Sequence, residues 1–165
     1  MDQRRLLVRT GFAILLVTMP GTILSMGPVP LAPEDMHSIE KQILHRVNGE
    51  RSAKRIPQLN WNDQVAAEAR RHAANIATGG FFAHEDPVRG NIDRRLDESG
   101  VSWHRCAENI YAGDADGLID EAVSAWRLSP PHYRAMMDSM FSEAGVGVAV
   151  KQNGTVIVVQ EFILK

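Results

Sequence analysis

Few residues of this chain have both the type and the setting to do chemistry. The most sharply placed is His132, in Trp126-Arg127-Leu128-Ser129-Pro130-Pro131-His132-Tyr133-Arg134. One helix is predicted to end at Leu128 and another to begin almost at once. Ser129 suits the N-cap, where its hydroxyl can accept a bond from an unpaired backbone N–H. Pro130 suits the first helical turn, where no N–H is needed. That corner would aim His132 in one direction, as a ligand or proton carrier requires; the plainer alternative is a surface histidine. His84 follows Phe81-Phe82-Ala83, two aromatics that anchor a loop. Taken alone, it reads as a metal ligand or as a hydrogen-bonded loop histidine. Glu108 lies in Cys106-Ala107-Glu108-Asn109-Ile110-Tyr111, a segment that alternates as a strand does. A carboxylate there is either part of a site or solvated on a polar face. Cys106 is the only cysteine, which excludes an internal disulfide and a zinc-thiolate cluster.

The elements that must position these residues are legible in the apolar spacing. Met36, Ile39, Ile43, Leu44 and Val47 recur at helical intervals over residues 35–54, with His45 and Arg51 toward the polar side or the end. Asn62-Asp63 is a natural N-cap pair for an alanine-rich helix over 63–78, stopped by Gly79-Gly80. His72, within that helix, reads as structural. A short helix is expected over 91–99, closed by Gly100, and an amphipathic one over 116–128. Two nearly all-apolar strands follow, 145–150 and 155–162, joined through Gln152-Asn153-Gly154 as a hairpin. Strands so apolar are expected to be buried on both faces, with helices above and below.

At 165 residues and 44% hydrophobic, the chain supports one domain with a real core. A net charge of −2 lacks the basic footprint of nucleic-acid binding, so no nucleic-acid partner is expected. The N-terminus reads separately. Arg4, Arg5 and Arg9 precede an uncharged stretch, so residues 1–27 are expected to be a signal peptide or an N-terminal signal anchor. The apolar run is short against the ~20 residues of a spanning helix, and Pro20-Gly21 interrupts it. Residues 28–33 read as a Pro-rich linker and 34–165 as the domain. An extracytoplasmic protein is expected, secreted, periplasmic or tethered, touching a membrane through its N-terminal segment alone.

Several landmarks occur in a fixed order. Asn48 and Arg51 lie in the opening helix, followed by Leu59-Asn60-Trp61, Ala69-x-x-His72-Ala73 and Phe82-Ala83-His84. Then come Ala107-Glu108-Asn109-Ile110, Trp126-x-x-Ser129-Pro130-x-His132-Tyr133-Arg134, Gly145-Val146-Gly147-Val148-Ala149 and Gln160-x-Phe162. The ordered set resembles the CAP superfamily, the SCP-like domain of cysteine-rich secretory proteins, antigen 5 and plant pathogenesis-related-1 proteins, in its small bacterial form. The resemblance covers residues 39–162.

It implies an α+β fold, a three-layer α-β-α sandwich with a mainly antiparallel central sheet and a shallow cavity. By motif match it implies His84 and His132 as the cavity histidines and Glu108 as its first acid, with Asn109 and Ser129 also lining it. Ser129 stands where other members carry a second acid, and Pro131 where the usual pattern has glycine. Two neutral imidazoles on one point suit Zn²⁺ or a similar divalent ion, held weakly with water completing the shell. Glu108 could orient one ring through its second N–H, or act as a general base on bound water. The first reading is therefore an exported, non-enzymatic binding module for a divalent ion, with an unidentified lipid, small-molecule or protein ligand in a separate groove. The second is a metal-assisted hydrolase of peptides using His84, Glu108 and His132. The missing second acid separates the two. Asn109 and Trp126 are expected to serve the fold, Trp126 beneath the corner and Asn109 by tying backbone with its amide.

Overall fold

The structure, a computed structural model, describes residues 31–165. Its elements are α1 (Pro33–Ala53), β1 (Asn60–Trp61), α2 (Asp63–Gly79), α3 (Ile92–Glu98), β2 (Arg105–Gly113), α4 (Leu118–Leu128), α5 (Pro130–Met137), β3 (Glu143–Val150) and β4 (Val156–Leu164). The predicted signal segment and residues 28–30 of the linker lie outside the described residues. Pro33, assigned to the linker, instead opens α1, where a proline's missing N–H costs nothing.

One sheet runs β1-β3-β4-β2. β1 pairs with β3 in parallel, while β3–β4 and β4–β2 are antiparallel. Helices cover both faces, so the three-layer sandwich holds. On one side Ile43 and Val47 of α1, Ala122 and Trp126 of α4 and Met136 of α5 pack with Val156, Val158 and Phe162 of β4. On the other, Ala69, Ala73 and Ile76 of α2 pack on Ile157 and Val159. The alternation of β4 thus feeds both cores. Val146, Val148, Ile157 and Val159 are all buried, as expected of central strands.

The alanines of α2 have a partner feature in β3. A Cβ on Gly145 would come within 2.1 Å of the Ala66 nitrogen, and one on Gly147 within 2.1 Å of the Arg70 nitrogen. Helix backbone therefore lies directly on strand backbone, which the two missing side chains permit. The hairpin turn is the three-residue loop Gln152-Asn153-Gly154. Lys151 N donates to Thr155 O at 2.8 Å, and Gly154 takes φ 89°, the left-handed conformation that closes loops of this length.

Two polar residues, one buried and one half-buried, lock the helices that matter for the site. Arg51 lies in the last turn of α1, the second of the two placements expected, and is buried rather than on the polar side. Its guanidinium donates to the carbonyls of Pro57, Met136, Asp138 and Phe141 at 2.7–3.1 Å, tying α1 to the end of α5. Burial lowers its pKa, with Asp138 opposing. Asn48 clamps Leu59 through both its amide groups, at 2.9 and 2.8 Å.

Candidate functional site

Trp126 closes α4 and is buried under the corner before His132. Its indole N–H donates to Ile110 O of β2 at 3.0 Å, which fixes α4 against that strand. Ser129 occupies the N-cap of α5, but its hydroxyl makes no capping bond. Proline at N2 removes one of the two N–H groups a cap would serve, leaving only that of His132 at N3. The corner is held by backbone instead, with Tyr133 N donating to Ser129 O at 2.8 Å. Asn109, on β2, donates from its amide to His132 O at 3.2 Å, so the same strand fixes the start of α5.

His84 lies in the loop after α2 and is 53% exposed at its side chain. The loop is pinned by a bridge between Asp86 and Gly90. Asp86 accepts from Val88 N and Arg89 N, both at 2.9 Å, and from Asn75 at 2.7 Å. Burial raises the Asp86 pKa, but those three bonds outweigh it and bring it to about 2. Glu108 points from β2 toward this loop and is only 3% exposed, which overturns the solvated-face alternative. His84 Nδ1 and Glu108 Oε1 are 2.8 Å apart. A carboxylate oxygen accepts, so Nδ1 carries the proton and Nε2 keeps a free lone pair. The His132 ring lies beyond, with centroids 5.9 Å apart and planes at 49°. Burial and then the neighbouring His84 lower the His132 pKa, favouring the neutral, ligating form.

The structure thus brings His84, Glu108 and His132 together, with Asn109 supporting His132. Ser129 is half-buried at the corner and makes no hydrogen bond to the other three. Among the described residues no group of three or more His, Cys, Asp or Glu side chains is arranged to hold a metal ion. The two imidazoles are the donors that could hold one. Rings sharing an ion at ~2.0–2.1 Å per bond stand about 5–6 Å apart between centroids, and this pair is within that range. A hollow of about 840 Å³ lies elsewhere, at the start of α1 beside Leu31, Met36 and Val148. Its polar residues are already engaged, with Arg70 and His37 both bound to the buried Glu40.

Comparison with known proteins decides the lineage. The family described as "CAP: Cysteine-rich secretory protein family" matches residues 44–162. The chain belongs to the CAP family. Among its relatives in Bacillus subtilis strain 168, the uncharacterized membrane protein YlbC is 32% identical over 109 residues, 66% of this chain and 31% of YlbC. The uncharacterized protein YkwD is 26% identical over 146 residues, 88% of this chain and 55% of YkwD. The CAP chain therefore spans well under two thirds of either relative. An extracellular protein of Bacillus anthracis strain Ames containing an SCP domain superposes with a TM-score of 0.73 at 30% identity, covering 83% of this chain and 45% of that one.

The CAP site has a buried floor that motif reading missed. Arg95 of α3 is fully buried beneath it. Its Nη2 donates to Glu108 Oε2 and, at 3.2 Å, to Glu161 Oε1; its Nη1 donates to His84 O at 2.8 Å and Gly90 O at 3.1 Å. Glu161, on β4 opposite Glu108, is wholly buried, and burial with the Glu108 charge pushes its pKa well up. His72 is buried as well, with Nε2 3.2 Å from Ala83 O and 3.7 Å from Glu108 Oε2. Burial keeps it neutral by lowering its pKa, against the raising influence of Glu108. Signals for Arg95 and Glu161 existed. Arg95 falls between Ile92 and Leu96 on the apolar face of its helix, and Glu161 interrupts a strand of apolar residues. A charge in either place needs a partner.

Proposed function

We propose that this CAP domain is an exported binding module that takes a divalent cation weakly through His84 and His132, without hydrolysing a substrate. The observation that carries the reading is the state of Glu108. One oxygen is engaged by the His84 ring and the other by Arg95. A carboxylate that binds an imidazole with one oxygen and a guanidinium with the other is placed to orient the ring, and the Arg95 cation makes it a poorer base toward water. The fixed Nδ1–H leaves Nε2 of His84 as a donor atom, and His132 supplies the second. A bound divalent ion would supply a fixed positive charge, and water would complete its shell. Ser129 in the place of a second acid keeps the site short of negative charge, in line with weak affinity. Export is supported by Arg4, Arg5 and Arg9 ahead of an uncharged stretch, and by relatives described as membrane-bound or extracellular.

Calorimetry with zinc tests the reading. The unmodified protein should bind one ion per chain, and His84→Ala and His132→Ala should each weaken binding at least tenfold while keeping the melting transition. Binding should fade at acid pH, because protonated rings cannot ligate, with His132 keeping its neutral form to lower pH than an ordinary imidazole. Unchanged binding in both variants would remove the metal site. Peptide cleavage by the zinc-loaded protein that is lost in Glu108→Gln would favour the hydrolase reading instead.

A further inference from the structure

An imidazole more than half exposed on a loop would ordinarily sample several rotamers. His84 is held at two points. Its backbone carbonyl is fixed by Arg95 Nη1 at 2.8 Å, and its ring nitrogen by Glu108 at 2.8 Å. Glu108 is in turn bound by Arg95 Nη2. Both fixings therefore end on the same planar guanidinium. That group also holds Gly90 O, the carbonyl at the closed end of the loop that carries His84.

We infer that Arg95 is the positioning residue of the site: its rigid fork sets the distance between the His84 backbone and the Glu108 carboxylate, and so fixes the ring with Nε2 outward. The consequence for cation binding rests on the metal-site reading above; the positioning itself does not. A guanidinium presents several donors in one plane, whereas an ammonium is a single point charge on a flexible stem. Arg95 is fully buried, so no water competes for those donors. Two further buried acids lie near it, Glu161 Oε1 3.2 Å from Nη2 and Glu68 Oε1 3.4 Å from Nε. Glu108 alone among the three also binds the His84 ring, and burial beside Glu108 favours the neutral form of Glu161.

Nitrogen-15 NMR of the histidine ring tests this without metal. In the unmodified protein His84 should show a single Nδ1–H tautomer. The Arg95 Nη protons should give separate resonances of hindered rotation. In Arg95→Lys the charge remains but the fork is lost, and His84 should show averaged tautomers. Arg95→Met alone could unfold by leaving buried acids unpaired, so it is paired with Glu161→Gln, which removes one of them. This double variant should melt cooperatively yet also show averaged tautomers. Zinc affinity should fall about 10–100-fold in either variant, the usual effect of removing a group that orients a ligand. A single averaged Nη signal in the unmodified protein, or an unchanged His84 tautomer in either folded variant, would overturn the inference. If the unmodified protein binds no zinc, the metal reading fails while the tautomer result still decides the role of Arg95.

Discussion

Asp86 shows how much one loop carboxylate contributes. Its pKa of about 2, against an ordinary 3.8, is a depressed folded-state value. The linked stability is fully present above ~4 and is lost as pH falls through the folded value, and the shift corresponds to roughly 2 kcal/mol. Urea denaturation at pH 5 and near pH 2 should therefore show the gap between the unmodified protein and Asp86→Asn shrinking by about that amount. Glu161 has the opposite sign. Its folded pKa is raised, so its carboxyl destabilises the fold increasingly as pH rises above 4.5 and stops doing so once the folded value is passed. Glu161→Gln should gain stability relative to the unmodified chain between pH 5 and pH 8; a constant difference would show that Glu161 is ionised in the folded protein. Of the site itself, His84, Glu108 and His132 were legible because each sits in its own motif. Arg95 and Glu161 showed only as charges in apolar settings, since their pairing exists only where α3 and β4 meet. Distance along the chain, 66 residues between them, hides that meeting from any local pattern.

Among the elements, the contact of α2 with β3 has the least tolerance. Gly147→Ala places a methyl at 2.1 Å from helix backbone, which no rotamer change can relieve. Overpacking of this kind costs typically ~1–3 kcal/mol, and more where backbone must move. A denaturant titration should show at least that loss, whereas Gly49→Ala, with open space around it, should be neutral or stabilising. Trp126→Ala should cost roughly 3–5 kcal/mol, because it empties a buried site and leaves Ile110 O without its indole donor. A loss below ~1 kcal/mol would show that the ring is not core. Element types followed the apolar spacing closely. The departures were at element ends. Arg51 is expected on the polar side of α1 or near its end; it is near the end, where four carbonyls from other segments surround it. Ser129 looked like a cap by residue type and does occupy the N-cap position, but its hydroxyl makes no capping bond.

At the scale of the whole molecule, the sandwich depends on two strands that come last in the chain. Every helix precedes β3 and β4, and both hydrophobic layers use side chains of β4. β1 pairs with β3, and β2 with β4, so neither earlier strand has a partner until the later ones are present. A chain ending at Lys151 should accordingly give a shallow, non-cooperative melt by circular dichroism, while the full chain unfolds in one step; a sharp transition in the shortened chain would refute this. The order of events in time follows from the same topology. As the polypeptide is made, residues 33–137 emerge as helices and two strands whose apolar sides have no β3–β4 surface to settle on. Such a chain stays open while those elements are added one by one. It closes when the β3–β4 hairpin arrives, so synthesis and folding are separated in time without any added device.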